Sequence, residues 1–215
     1  WDKELGGVRL DAQIAEKGIS STHVTGYVSP KLKGLDLSIR ADSTNLGFLQ
    51  PFIEGIFSEI NGRVNGNVRL YGDFKHLDLE GEVRAKMDAK IDVLNTYFQI
   101  RDDSIHISSG SLDFRNVKVY DREGHDGLVN GYLHHTKLKN LMYHFNIRGN
   151  NLLMYNTYEA GNMPFYGKVY GTGNVVLDGG NNAMTVDASL TTGNNTSFTY
   201  ITVSYTHLRA HETLM

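Results

Sequence analysis

Nine histidines and twenty-four carboxylates are the groups in this chain able to do acid–base or metal chemistry. Their spacing argues against both. His134 and His135 adjoin, and in an extended segment neighbours point to opposite faces, so the pair cannot grip one ion. His76, His106, His125 and His144 recur at no metal-ligand spacing. Asp102–Asp103 and Asp121 with Glu123 are the carboxylate pairs that a general acid and base would need. Both sit among charged residues and turn formers and read as solvated loop residues. No nucleophile elbow, phosphate-binding glycine loop, zinc helix motif or calcium loop occurs. The tyrosines alternate with polar residues and have no Lys/Arg cluster beside them, so they read as strand formers rather than a base-stacking platform. The expectation is a protein that is not an enzyme, with no catalytic residue, no metal ligand and no cofactor.

The elements that carry these residues are organised around Leu77–Val93. Its odd positions are apolar or small: Leu77, Leu79, Gly81, Val83, Ala85, Met87, Ala89, Ile91 and Val93. Every even position between them is charged: Asp78, Glu80, Glu82, Arg84, Lys86, Asp88, Lys90 and Asp92. A period of two is extended chain with one apolar and one wetted face. A helix would spread the charges round its circumference. The run predicts one long strand, or two collinear strands bending near Gly81 or Ala89 without losing phase.

Alternation recurs on both sides. Val8–Ile14, His23–Val28 and Leu35–Arg40 read as the first strands, and Gly62–Leu70 leads into the central run. Thr96–Ile100, Ser104–Ser108, Ser111–Val119, Leu128–His135, Leu141–Ile147, Lys168–Leu177, Met184–Leu190 and Ser197–Ile201 follow. Asp121–Gly127 reads as a loop and Gly179–Asn182 as a tight turn. Gly149–Gly161 reads as irregular, with Leu152–Met154 opening a short helix. The pattern changes once. Leu46, Leu49, Phe52, Ile53, Ile56, Phe57 and Ile60 fall at spacings of three and four, which predicts one helix over 46–60, its apolar stripe used for packing. A Val-x-Gly unit repeats at Gly26, Gly66, Gly131 and Gly171, separated by 40, 65 and 40 residues, each followed by a returning strand. Reused strand pairs imply an elongated architecture in which each unit chiefly touches its neighbours.

Composition agrees. Twenty-three glycines against three prolines fit a turn-rich β protein, and a net charge of −3 supplies no basic field for nucleic acid. The absence of cysteine fits a cytoplasmic protein or an envelope protein without disulfides. No apolar run approaches the ~20 residues that span a bilayer. The chain opens on Trp1 and reads as an interior fragment. Val203–Thr213 (VSYTHLRAHET) is similar to a translated transposase adapter used in sequencing libraries. Residues 1–202 are therefore expected to form the β domain, and 203–215 a non-native tail.

Three stretches carry a family resemblance: Leu46-Gly-Phe-Leu-Gln-Pro-Phe52, Gly62-Arg-Val-Asn-Gly-Asn-Val-Arg-Leu-Tyr-Gly72 and Leu77-Asp-Leu-Glu-Gly-Glu-Val83. With Ile105-x-Ile107, Gly110-x-Leu112-x-Phe114 and Gly127–Leu133, they resemble the TamB/AsmA-like proteins of Gram-negative envelopes. The resemblance covers Val8–Ile201 and rests on structural, degenerate motifs. It implies a mostly β fold: a long sheet of repeated antiparallel hairpins folded into an apolar, taco-like groove. It further implies a periplasmic location on an inner-membrane-anchored protein, and phospholipid passage between inner and outer membrane. Outer-membrane protein assembly with a TamA/BamA-like barrel is implied as well.

In such a trough the expected acyl-chain lining is Leu79, Val83, Ala85, Met87, Ile91 and Val93. Gly81, Ala85 and Ala89 are small for a dry core and leave room for hydrocarbon. Alternation alone equally fits a closed β-sandwich. It also fits a solenoid acting as a surface adhesin or glycan-binding module, or a scaffold that passes unfolded strands by edge pairing.

Overall fold

The computed structural model describes residues 1–16, 20–50, 57–92, 94–136, 139–158, 165–180 and 183–201. Its strands are β1 (Val8–Glu16), β2 (Ser20–Ser29), β3 (Gly34–Asn45), β4 (Phe57–Asp73), β5 (His76–Ile91) and β6 (Thr96–Ser108). They continue with β7 (Ser111–Tyr120), β8 (Asp126–Thr136), β9 (Lys139–Thr157), β10 (Phe165–Gly180), β11 (Ala183–Thr192) and β12 (Ser197–Tyr200). All pair antiparallel in strict chain order into one open sheet, a meander of hairpins from β1 to β11. β12 continues the line of β11. Both pair with β10, β11 along Gly171–Gly180 and β12 along Phe165–Lys168. Between them Gly193 donates its N–H to the Tyr170 carbonyl.

From Leu77 to Ile91 the central run is a single strand, β5, with unbroken phase. On β5, Ala85 and Ala89 are buried while Glu82, Arg84 and Lys86 are exposed. Side chains alternate across a strand, so the whole sheet has an apolar face and a polar face.

The helix expected over 46–60 is corrected at its end. Leu46–Leu49 forms one 3-10 turn, with the Asn45 side chain accepting from the Gly47 N–H, and 51–56 lie outside the described residues. Phe57–Ile60 is strand, with Ile60 opposite Ala89. A short apolar run fits either period, and here cross-strand pairing decides. Nor does Leu152–Met154 start a helix. β9 runs on to Thr157, passing Gly149–Leu152 through a bulge with Asn151 at φ 51°. The tail at 203–215 lies outside the described residues.

The glycine repeat has a backbone reason. Gly66 and Gly131 sit mid-strand at φ 152° and 155°, and a Cβ there would come within 2.3 Å of the Glu82 carbonyl and 2.0 Å of the His144 carbonyl. Only glycine tolerates both conditions, and such kinks bend a sheet. In the fourth unit this role belongs to Gly173 (φ 145°), not Gly171.

Candidate functional site

Reading the pairing across the sheet, rather than along any strand, brings out the main feature. Starting at Ala12, successive partners are Val24, Ile39, Val68, Gly81, Ile107, Leu112, Leu133, Tyr143, Gly179 and Met184. Every strand from β1 to β11 contributes an apolar residue or glycine to this row. A second row begins Ile14, Thr22, Ala41, Gly66, Val83, Ile105 and resumes as Phe114, Gly131, Phe145, Leu177, Val186. The two rows form a band running perpendicular to the strands. Ten inter-strand steps of about 4.8 Å give it a length of roughly 48 Å.

One residue further along each strand, the side chains face the other way. That row reads Gln13, His23, Arg40, Asn67, Glu82, His106, Asp113, Tyr132, His144, Asp178 and Thr185. His144 Nδ1 lies 2.6 Å from Asp178 Oδ1, and the His144 ring lies alongside Tyr132, which stacks on His134 at 4.0 Å between centroids. His134 and His135 do point to opposite faces, His134 onto Tyr132 and His135 into the buried side. Among the described residues no group of three or more His, Asp or Glu is arranged to hold a metal ion.

The band is closed at its centre and open at its flanks. Within the two rows Ile105, Ile107, Tyr143 and Leu177 are buried, and on the same core Ala85, Val117 and Leu152 have no exposed surface. Towards the flanks Ile14 is 62% exposed and Val186 47%. The lining expected from sequence divides accordingly. Ala85 belongs to the closed core, with Val83, Met87 and Ile91 half-buried against it. Leu79 is half-exposed and stands in a flanking row with Leu10, Gly26, Leu37 and Leu70. Val93 lies outside the described residues. Sequence reasoning laid the lining along one strand, whereas the continuous apolar direction crosses all of them. The signal that carries it is the shared apolar phase of every strand, read against the hairpin registers.

Three details escaped the sequence. The first is a parting between β6 and β7. They pair at Gln99↔Tyr120, then again only at His106↔Asp113, Ile107↔Leu112 and Ser108↔Ser111. Each strand has six residues in between, Ile100–Ile105 and Phe114–Val119, so register is kept and the two strands stay side by side while the backbone ladder between them lapses. Both bulge there against their other neighbours, β6 at Arg101–Asp102 and β7 at Arg115–Asn116, with Asn116 at φ 54°. Side-chain contacts stand in for the ladder: Asp103 accepts the Lys118 N–H at 2.8 Å, and Arg101 lies 3.8 Å from the Tyr120 ring centroid, while on the other side Arg84 of β5 forks onto Asp102 at the bulge.

The second is Asp121, read from sequence as solvated. Its side chain has no exposure at all. Oδ1 accepts the N–H groups of Glu123 and His125 at 2.9 Å, and Oδ2 accepts Leu153 N–H at 3.0 Å and faces His125 Nδ1 at 2.8 Å. Burial pushes this carboxyl up, but the bonds from His125 and Leu153 outweigh it and hold it below the usual carboxylate range. Its acceptor capacity is spent on folding the β7–β8 loop onto β9.

The third is what that loop then does. Arg122 pairs with Asp88 at 2.7 Å and lies 3.3 Å above the Tyr97 ring centroid, both on the β5–β6 side. Glu123 takes Lys168 Nζ at 2.7 Å and the Tyr170 hydroxyl at 2.7 Å, both on β10. The partners hold Glu123 below its ordinary pKa, Lys168 first, and Asp88 raises that of Arg122. Beside the loop Asn156 donates to the Leu94 carbonyl at 3.0 Å, joining the end of β9 to the β5–β6 turn.

No helix among the described residues is long and apolar enough to cross a membrane. No protein-family model, curated protein or solved structure matches this chain.

Proposed function

We propose that this chain is a segment of a cell-envelope β-groove whose apolar band holds phospholipid acyl chains. The observation that carries the reading is the band itself, an unbroken apolar row across eleven successive strands, backed by an equally unbroken polar row one residue away. A core built only for stability needs apolar residues facing inward. It does not need large apolar side chains of the same rows left open to solvent at both flanks, as Ile14 and Val186 are here. Each buried methylene contributes about 0.8 kcal/mol at any point along such a strip, so a hydrocarbon tail shifts along it without meeting a deep well. No group transfer is required. The polar row keeps the opposite face in water and fixes which side the lipid meets.

The resemblance to TamB/AsmA-like proteins supports extending the proposal to passage between inner and outer membrane in the periplasm. It also supports a TamA/BamA-like barrel as partner in outer-membrane protein assembly. The test is lipid capture. The purified chain is mixed with phosphatidylethanolamine/phosphatidylglycerol vesicles carrying a trace of radiolabelled lipid, separated from them, and counted. The wild type is expected to retain lipid. Val83→Asp and Ile91→Asp are expected to lose most of it with the far-UV spectrum intact, and Glu82→Lys on the polar face to retain it. Failure of the wild type to capture lipid, or equal capture by all four proteins, overturns the reading.

A further inference from the structure

The geometry points to the β6–β7 parting as a lateral gate in the sheet, latched by Arg122 and Glu123. Elsewhere neighbouring strands share long ladders: β4 and β5, for instance, pair from Phe57↔Ile91 to Asp73↔His76. β6 and β7 hold by three pairs next to their own turn and by one pair, Gln99↔Tyr120, at the far end. The near end is fixed covalently by the turn at Ser109–Gly110, whose N–H and hydroxyl both bond to Asp78. The far end is free to open once its stitches are released.

Within the gap Asp103 takes the Lys118 N–H and Arg101 lies over the Tyr120 ring, and beyond it the remaining stitches are few and polar. Arg122 reaches across to Asp88 and Tyr97, and Glu123 in the same loop reaches the other way to Lys168 and Tyr170. The loop thereby ties strands β5–β6 to strand β10 over the tip of the β7–β8 hairpin, with the Asn156–Leu94 bond beside it. A cleft of about 350 Å³ lies between the two sides, lined by Lys90 and Tyr97 from one and Asn156 and Lys168 from the other. On the apolar face the parting is flanked by Ile100 and Ile105 on β6 and Val117 and Val119 on β7, all buried. Here the band is at its most closed. Splaying β6 from β7 at the latched end uncovers that centre sideways and gives a hydrocarbon tail a way in between the open flanks. Entry of a tail rests on the lipid reading above, whereas opening of the gate does not.

Hydrogen exchange on the full chain, read peptide by peptide with mass spectrometry, tests the opening. The variant Arg122→Ala/Glu123→Gln removes the latch on both sides, and Asp88→Asn removes only the ion pair that crosses the parting, as the milder change should the double variant not fold. The expected result is exchange about tenfold faster in peptides covering 99–106 and 113–120, with 22–40 and 172–190 unchanged. Unchanged exchange at the parting, or equal acceleration across the whole sheet, overturns the gate. Vesicle capture on the same samples separates the two ideas. Faster capture by the latch variants joins gate to lipid loading. Local acceleration with no lipid held by any protein leaves the gate standing and removes the lipid reading.

Discussion

Replacing Asp121 with Asn removes one negative charge and one acceptor oxygen from a site with no exposed surface. The carboxylate serves four donors, two on each oxygen. If the new amide nitrogen takes the Oδ1 position, the N–H groups of Glu123 and His125 both lose their acceptor. If it takes the Oδ2 position, His125 Nδ1 can accept from it, and Leu153 N–H alone is stranded. The second arrangement is the less costly. One buried donor left without a partner costs about 1–3 kcal/mol, and the lost charge weakens the remaining bonds, giving a total of about 2–3 kcal/mol. For a chain of this size that lowers Tm by roughly 4–12 °C. The assay is denaturant and thermal unfolding followed by far-UV circular dichroism at pH 7. Acid supplies the cross-check. The folded pKa of Asp121 is depressed, so its contribution is complete above the unfolded value of about 3.9 and fades as pH falls through the folded one. Wild type and Asp121→Asn should converge in stability there. A cost below about 1 kcal/mol at pH 7, or a gap that widens on acidification, refutes this account of the loop.

Gly131→Ala should destabilise by about 3 kcal/mol, because φ of 155° and a carbonyl 2.0 Å from the new Cβ both oppose it. Gly124→Ala, at φ 96° in open space, should cost about 1 kcal/mol, and equal melting losses for the two would contradict the close-approach argument. Leu152→Ala empties a fully buried site and should cost about 3 kcal/mol in chemical denaturation, whereas a loss under 1 kcal/mol would mean that the apolar core is not tightly packed there.

Most of the fold is legible in the sequence, since a two-residue period in one segment after another with short turns between them specifies hairpins in chain order. Val8, Leu35, Leu77, Ser111 and Met184 all fall in strands at or near the positions that alternation gives. The same period locates the interruption at Arg101–Asp103, which proves to be a bulge within β6 rather than a break between two strands. Phe57 and Ile60 mislead because their spacing also fits a helix, and only β5 alongside them, offering Ala89 opposite Ile60, decides the matter. Asp121 misleads for a different reason. A loop carboxylate beside Arg122, Glu123 and Gly124 has every local mark of a solvated turn, and its burial depends on Leu153, thirty-two residues on in the chain. The band needs registers as well as periods. Alternation says which residues of one strand share a face, and pairing says which residue of the next strand continues the row.

A photo-crosslinking residue placed singly on the apolar band and on the polar row behind it tests the central claim most directly. Ile39, Val68, Val83 and Leu133 belong to the apolar band, and Arg40, Asn67, Glu82 and Tyr132 to the polar rows behind it. With phospholipid vesicles present, the first four positions should label lipid and the second four should not. Equal labelling of both sets, or none from the first, would contradict a hydrocarbon-binding face.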